Sequence, residues 1–348
     1  MNAPAAVPAA ALRDFSVSLL EHAGMLRADA AILAEVLTWA DLRGVDSHGV
    51  ARLPHYLNFL KVGVIAPRPK MRVVADAPAL AILEADQAAG PVAMMRAVEL
   101  ASAKAAAAGI GMALVRATSH TAAIGYYTQQ LARAGMAAVG LNASIPMMAY
   151  HGTRSAAVST APVSIAVPGP GADPVLLDMS TSAISLGKLG QARRQGTVLA
   201  PGLALDVDGN PTTDAKAAQI PLPLGGPKGA GLALMIELVT SIAVGNPILA
   251  NYLAVGAEGR RHRQNALLIA IDVFRFCEES SFRADVARTI AAIKAQPVTS
   301  GTTEILVPGE RGDAEHARRS RDGIPVPTQV RAELTAAAIA AGIAVPWA

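Results

Sequence analysis

The sequence has a helical pattern at both ends and a mixed pattern in the middle, and this order limits the folds open to it. Apolar residues recur at helical spacing over 11–23, 28–43, 282–295 and 330–341. Between these segments, alanine-rich helical stretches alternate with short β-like runs: LAILEA (80–85), GMALVR (111–116), MAAVGLN (136–142), PVLLDM (174–179) and ALLIAID (266–272). The pattern predicts an α/β protein with a central sheet domain and a helical domain built from both chain ends.

The predicted boundaries divide the chain into three segments. Residues 1–75 form the first helical part, 76–280 the central α/β domain, and 281–348 the return to the helical domain. A third early helix is predicted over 50–61, and the longest helix over 91–108. With 348 residues and 52% hydrophobic side chains, the chain can bury a substantial core.

Composition argues against several classes of protein. A net charge of +3 gives little attraction for nucleic acid, and the basic run over 311–321 carries interspersed acids and no aromatics, which indicates a solvated helix face. The single cysteine, Cys277, excludes an internal disulfide, and the seven histidines show no metal-ligand spacing. The uncharged run over 238–257 is interrupted at 245–247, which argues against a membrane span. Because the first residues do not resemble a signal peptide, we expect a cytoplasmic protein.

The stretch DLRGVDSHGVAR concentrates polar side chains in an otherwise apolar chain. Ser47 or Asp46 is expected to cap a helix that begins near Val50, so that His48 and Arg52 share one face of it. A guanidinium beside a helix start suits a carboxylate, and an imidazole next to it can exchange a proton, with Asp46 fixing its tautomer. The alternative is structural: Ser47 caps the helix, His48 is a bystander and Arg52 pairs with Asp46. Spacing alone leaves both open.

Three further stretches join a strand or a glycine turn to a helix. ATSHTAAIGYY places Ser119 and His120 where a ligand binds in many α/β proteins. LLDMSTSAISLGK offers Asp178 and hydroxyls that could hold a ribose or pyrophosphate, and LGGPKGAGLALMIELV places Lys228 at a helix mouth suited to phosphate. Ordinary caps and turns explain each stretch as well. The chain has no GxGxxG, Walker A or GxSxG motif, which disfavours a Rossmann site, a P-loop and a serine hydrolase.

Taken in order, these motifs closely resemble the malate/L-lactate dehydrogenase family. The matching stretches are RGVDSHGVARLPHY, SHTAAIGYY, LLDMSTSAISLGK, GGPKGAGLALMIE and VPGERGDAEHARRSRDGIPV. The family also includes ureidoglycolate, sulfolactate and diketogulonate dehydrogenases and Δ1-piperideine-2-carboxylate reductases. The resemblance implies a non-Rossmann, nicotinamide-dependent fold built on a largely antiparallel sheet and a homodimer, with the central segment binding NAD or NADP. The missing GxGxxG is then expected.

The resemblance also implies roles for individual residues. By it, His48 is the acid/base at the substrate and Arg52 holds the substrate carboxylate. The implied catalytic residues are His48, His120 and Asp178. The implied substrate contacts are Ser47, Arg52, Tyr56 and Thr160. The implied cofactor contacts are His120, Ser144, Asp178, Met179, Ser180, Lys228, Gly229, Pro308, Gly309 and Glu310. No metal ligands are implied.

The implied activity is NAD(P)-dependent hydride transfer to or from C2 of a small 2-hydroxy or 2-keto carboxylate. Two loops depart from the family pattern: AYHGT at 149–153 replaces a Pro-x-Gly-Gly segment, and STAP at 159–162 replaces Gly-Thr-Asn-Pro. These departures keep two alternatives open. One is a reductase of cyclic imines (Δ1-piperideine- or Δ1-pyrroline-2-carboxylate), and the other is a non-catalytic ligand-binding relative.

Overall fold

A computed structural model describes residues 6–254 and 263–347, so the end of the uncharged run over 238–257 lies outside the described residues. The helices in these ranges are α1 Ala9–His22, α2 Arg27–Leu42, α3 Leu53–Lys61, α4 Gly90–Ala108, α5 Gly125–Arg133, α6 Leu186–Gln195, α7 Pro227–Glu237, α8 Leu249–Ala254, α9 Glu279–Lys294, α10 Glu310–Asp322 and α11 Thr328–Ala341. A π-turn, Leu238–Ile242, extends α7. No helix in the part described is long and apolar enough to cross a membrane.

The strands form one large sheet and several short pairs. Their bounds are β1 Ala6–Val7, β2 Arg72–Ala77, β3 Leu80–Glu84, β4 Ile110–Thr118, β5 Ala137–Ser144, β6 Met148–Ala149, β7 Ala156–Val158, β8 Val163–Val167, β9 Val175–Met179, β10 Ala204–Leu205, β11 Pro211–Thr212, β12 Ile220–Pro221, β13 Gln264–Ile271 and β14 Ile324–Pro325.

The central sheet has seven strands in the order β2-β3-β4-β13-β5-β8-β9. Only β3 and β4 run parallel, joined by α4; every other neighbouring pair is antiparallel. The late strand β13 inserts between β4 and β5, which explains its nearly uninterrupted apolar sequence: six of its eight residues are buried. The largely antiparallel α/β architecture is therefore confirmed.

Elements from both chain ends pack together beside this sheet. α1 lies against α2, α11 contacts α1 and α3, and β1 pairs with β14. One continuous core joins helical residues such as Leu12, Leu37 and Leu334 to the sheet residues Val115 and Leu268. The division at residues 75 and 280 stays a prediction, since this core extends across both boundaries.

Candidate active site

The turn that carries His48 and Arg52 is built differently from the predicted helix start. Asp46–His48 and Val50–Arg52 form two successive 3-10 turns, and α3 begins only at Leu53. The prediction that Ser47 or Asp46 caps this helix is wrong. α3 has no side-chain cap, and it is the second 3-10 turn that is capped: the buried Asp41 carboxyl group at the end of α2 accepts the Val50 N–H at 2.8 Å.

Gly49 is required for this cap. A Cβ at Gly49 would lie 1.7 Å from Asp41 Oδ1, so only glycine lets the turn approach the carboxylate. A second close approach comes from α6: a Cβ at Gly187 would lie 2.1 Å from the Ser47 Cβ. The turn is therefore held between α2 on one side and α6 on the other.

His48 lies at the end of the first 3-10 turn. Its ring is half-buried, and Nδ1 lies 3.0 Å from Ser47 Oγ. Burial lowers the pKa of His48 to about 4, and the nearby Arg52 guanidinium lowers it further in the same direction. The imidazole is consequently neutral at physiological pH and able to accept a proton.

Arg52 presents a cation without a counter-ion. Its Nε donates to the Ser47 carbonyl at 2.8 Å, but across residues 6–254 and 263–347 no carboxylate pairs with it and its terminal nitrogens make no hydrogen bond. The alternative in which Arg52 pairs with Asp46 is wrong, because Asp46 pairs with Arg319. Asp46 also makes no hydrogen bond to His48 in the described structure, so it does not fix the imidazole tautomer.

His120 and Tyr56 complete this side of the site. The rings of His48 and His120 stack with centroids 5.6 Å apart and an interplanar angle of 18°. The buried Tyr56 hydroxyl lies 2.8 Å from His120 Nδ1 and 2.9 Å from the His120 carbonyl. The Tyr56 hydroxyl has one proton, and it donates this proton to the His120 carbonyl, which can only accept. The second hydrogen bond therefore forms when His120 Nδ1 carries a proton and donates it to the hydroxyl oxygen. Burial raises the pKa of Tyr56, so the phenol stays protonated.

Asp178 lies near the end of β9. Its carboxylate accepts the Gly125 N–H, at the start of α5, at 2.9 Å. Water reaches the side chain, yet protein atoms crowd around it, as expected on the wall of a cleft. This crowding raises the pKa of Asp178 to about 6, while the Gly125 hydrogen bond and the Arg43 charge act in the opposite direction. Across the described ranges Asp178 makes no hydrogen bond to His48.

The predicted cofactor residues after β9 form one hydrogen-bonded unit with the mouth of α7. Thr181 donates through its N–H to the Thr160 carbonyl at 2.9 Å and accepts the Leu224 N–H at 2.8 Å. Gly229 is needed here because a Cβ would lie 2.5 Å from the Thr181 carbonyl oxygen. Lys228 is exposed at the start of α7 and has no partner in the part of the chain described.

The remaining predicted contacts lie at the edges of the same sheet. Ser144 is buried at the end of β5, and its hydroxyl donates to the carbonyl of the next residue, Ile145, at 3.3 Å. Met179, half-buried, pairs with Val163 of β8. Ser180 Oγ lies 2.8 Å from Ser182 Oγ, in the turn that follows β9.

The segment 308–310 lies beside β9. The Pro308 carbonyl accepts the Leu176 N–H at 3.2 Å, and the Gly309 carbonyl accepts Arg43 Nη2 at 3.1 Å. The Glu310 carboxylate accepts the Val307 N–H at 3.0 Å and pairs with Lys294. This segment therefore contributes its backbone to the neighbourhood of Asp178, while the Glu310 side chain is engaged at the start of α10.

Sequence reasoning missed the residues that hold the site together. The motifs already quoted contain four such residues: Asp41, Arg43, Gly49 and Gly187. Nothing in the sequence patterns distinguished residues that hold the turn in place from residues expected to contact a ligand. The run over 311–321 was interpreted as a solvated face, and this is wrong for Arg319, which is 6% exposed. No group of His, Cys, Asp or Glu among the described residues is arranged to hold a metal ion.

Comparison with known proteins identifies the family of this chain. The model of the family described as Malate/L-lactate dehydrogenase matches residues 7–335. The chain belongs to the malate/L-lactate dehydrogenase family. L-sulfolactate dehydrogenase of Methanocaldococcus jannaschii is 35% identical over 312 residues, which cover 89% of this chain and 90% of that protein. Ureidoglycolate dehydrogenase (NAD(+)) of Escherichia coli strain K12 is 32% identical over 306 residues, 88% of each chain.

A solved structure of a reductase is also similar to this chain. Δ1-piperideine-2-carboxylate reductase of Pseudomonas syringae pvar. tomato superposes with a TM-score of 0.83 at 26% identity, covering 96% of this chain and 99% of that one. Like its malate/L-lactate dehydrogenase relatives, which are named dehydrogenases and reductases, this chain is an oxidoreductase.

Proposed function

We propose that the protein transfers a hydride to or from C2 of a small 2-hydroxy or 2-keto carboxylate, with Arg52 as the carboxylate anchor and His48 as the acid/base. The observation that carries the proposal is the partly buried Arg52 guanidinium, which has no acidic partner among the described residues. A cation removed from water without a counter-ion is costly, and a bound carboxylate offsets that cost through a two-pronged hydrogen bond. Anchoring the acid group at Arg52 would orient C2 next to His48.

The charge of the substrate would tune His48. In the free protein the Arg52 charge contributes to the low pKa of His48. A carboxylate bound to Arg52 neutralises that charge and therefore raises the pKa of the imidazole toward the physiological range. Neutral His48 suits proton abstraction from a 2-hydroxy acid, while the raised pKa in the complex suits proton donation to a 2-keto acid. Tyr56 would keep His120 in the tautomer with a protonated Nδ1, next to the same substrate.

The second half of the site fits a nicotinamide dinucleotide. Exposed Lys228 at the start of α7 suits a phosphate, and the Ser180 hydroxyl suits a ribose or phosphate oxygen. Asp178 is crowded by protein yet reachable, which is expected where a large ligand covers a cleft wall. The cofactor supplies the hydride, while the chain supplies position and charge. NAD or NADP both fit these residues.

A cyclic-imine reductase is the second candidate, favoured by the likeness to Δ1-piperideine-2-carboxylate reductase. A cyclic imine can carry its own proton as an iminium, so it needs no acid from a neutral His48. The altered loop over 149–153 lies close to the cofactor side, because a Cβ at Gly226 would be 3.5 Å from His151 Nδ1. The substitutions there leave room for either substrate class.

The test is a rate measurement at 340 nm with purified protein, NADH or NADPH, and a panel of 2-keto acids and cyclic imines. Oxidation with keto acids supports the leading proposal, and oxidation with imines alone supports the second. If NADH and NADPH are oxidised with neither keto acids nor imines, the result supports the non-catalytic relative and contradicts both enzymatic proposals. His48→Gln should remove turnover while leaving binding of the reduced cofactor, measured by fluorescence titration, nearly intact; a variant with near-full rate would overturn the role of His48.

Assembly and location also stay predictions. A homodimer is supported by the exposed apolar residues on one face of α7 and its π-turn: Leu232, Met235, Leu238, Val239 and Ile242. A cytoplasmic location rests on the sequence alone.

A further inference from the structure

We propose that α10 positions the acid/base turn relative to the cofactor segment 308–310, which leads into this helix, with Arg319 and Arg43 as the positioning residues that tie the segment 41–46 to it. The inference rests on the proposed function, because it assigns the two halves of the site their roles. What the structure adds is that both halves are fastened to the same helix by buried arginines that touch neither His48 nor Arg52.

Arg319 fastens α10 to the acid/base turn. Its side chain is 8% exposed, and Nη1 donates to the Asp41 carbonyl at 2.7 Å and to the Asp46 carboxylate. Asp41 is the residue that caps the turn, and Asp46 precedes His48 by two positions. Glu315, one helical turn before Arg319, holds the guanidinium from the other side through Nε. One side chain thus fixes both the entrance of the turn and its cap.

Arg43, at the end of α2, ties the start of the segment 41–46 to the first turn of α10 and to the cofactor segment that leads into it. Its side chain is 6% exposed, with Nη1 paired to Asp313 in the first turn of α10 and Nη2 bonded to the Gly309 carbonyl. Gly312 makes this approach possible, since a Cβ there would lie 2.6 Å from Arg43 Nη2. The guanidinium also lies over the ring of Trp39, 5.3 Å from its centroid.

The two fastenings lie near opposite ends of the helix. The contacts with the segment 41–46 come at Gly309, Asp313 and Arg319, while Arg321 on the same helix is exposed and pairs only with its neighbour Asp322. Each guanidinium makes hydrogen bonds to more than one group, so α10 holds the acid/base turn and the cofactor segment at a fixed separation. Displacing either end should therefore disturb one half of the site more than the other.

A purely structural role would give a different result. If the arginines only docked α10, each variant would lower the melting temperature and change all kinetic constants together. A positioning role instead separates the constants: loosening Arg319 should lower kcat, and loosening Arg43 should weaken cofactor binding.

The experiment uses Asp46→Asn and Asp313→Asn, which remove the acidic partner of Arg319 on the turn and the acidic partner of Arg43 on α10, and leave both arginines in place. For wild type and variants we would measure the melting temperature, the NADH and NADPH dissociation constants by fluorescence titration, and kcat with the substrate that wild type turns over. Since a charge-assisted hydrogen bond is lost in each, Asp46→Asn should lower kcat about tenfold and Asp313→Asn should raise the cofactor dissociation constant about tenfold. The other constant should change by no more than about twofold in each variant.

Arg319→Lys should likewise lower kcat, and Arg43→Lys should likewise raise the cofactor dissociation constant. Lysine keeps the positive charge but cannot make the several hydrogen bonds of a guanidinium. Arg321→Gln is the matched control on α10 and should resemble wild type. Variants that change only the melting temperature, or that change both constants equally, overturn the inference while the proposed function stands. Wild type that neither binds NADH or NADPH nor turns over any substrate in the panel overturns both.

Discussion

Asp41 is a buried carboxylate at the end of α2, and burial raises its pKa from 3.8 to about 8. The native state therefore binds this proton more tightly than the unfolded chain does. Its contribution to the free energy of unfolding is fully present below pH 4, and is lost as the pH rises from about 4 to about 8. Asp41→Asn removes the titration and keeps an oxygen that can accept the Val50 N–H.

We expect the stability of Asp41→Asn relative to wild type to increase between pH 4 and pH 8, as measured by urea unfolding at several pH values. A difference between Asp41→Asn and wild type that stays constant with pH would show that Asp41 does not titrate in this range.

Tyr56 offers a second test at the residue scale, because Tyr127 is a close match for it. Both rings are buried and both hydroxyls donate to a backbone carbonyl, of His120 and Thr121 respectively, but only Tyr56 also contacts the His120 ring. Tyr56→Phe and Tyr127→Phe should each cost about 1–3 kcal/mol of stability by leaving a carbonyl without its donor. Only Tyr56→Phe should also lower kcat, because the His120 tautomer is then no longer fixed. Equal kcat values for the two variants would contradict that role.

The sequence pointed to the residues proposed to contact ligand, and it did not point to those that support them. His48 and Arg52 stood out because they are close together in an apolar chain. The pairing of Arg43 with Asp313 spans 270 positions, and no local pattern reports a contact of that separation. The motifs singled out His120 and Asp178, and the resemblance gave them roles, but neither supplied the tyrosine hydrogen bonds or the backbone N–H that these side chains contact.

At the scale of elements, the two glycines of α6 make a matched pair. Gly187 packs against Ser47, whereas a Cβ at Gly190 would meet only the flexible end of Arg194, at 3.5 Å. Gly190→Ala should leave kcat unchanged and stabilise the protein by up to about 1 kcal/mol, because alanine favours helix. Gly187→Ala should displace the acid/base turn and lower kcat, measured at saturating substrate. Full activity in Gly187→Ala would show that α6 does not locate His48.

Periodicity predicted the elements whose burial is regular, and it was less successful elsewhere. The helices α1, α2 and α4 and the strands β3, β4, β5, β9 and β13 all correspond to predicted runs. The strand β2 was not predicted because it lies at the sheet edge with five of six residues exposed, so apolar alternation is absent. The start of α3 was predicted at Val50 rather than Leu53, because residues 50–52 form a separate 3-10 turn, held at Val50 by the distant Asp41.

At the scale of the whole molecule, the apolar face of α7 and its π-turn carries the prediction of a homodimer. Met235 is 54% exposed on that face, and Ile339 on α11 is 75% exposed elsewhere. Met235→Lys should shift the protein toward monomer, because a charge at the centre of an apolar interface is strongly unfavourable. Ile339→Lys is the control and should remain dimeric in sedimentation velocity. A monomeric wild type, or a dimer unaffected by Met235→Lys, would contradict this assignment.

The central claim is that Arg52 binds the acid group of the substrate beside His48. The most direct measurement compares kcat/KM for a 2-keto acid and its uncharged primary amide, in wild type and in Arg52→Leu. Wild type should prefer the acid by about a hundredfold, since the charge-assisted pair is lost with the amide, and Arg52→Leu should show almost no preference. A preference for the acid that survives in Arg52→Leu would place the carboxylate elsewhere and contradict the claim.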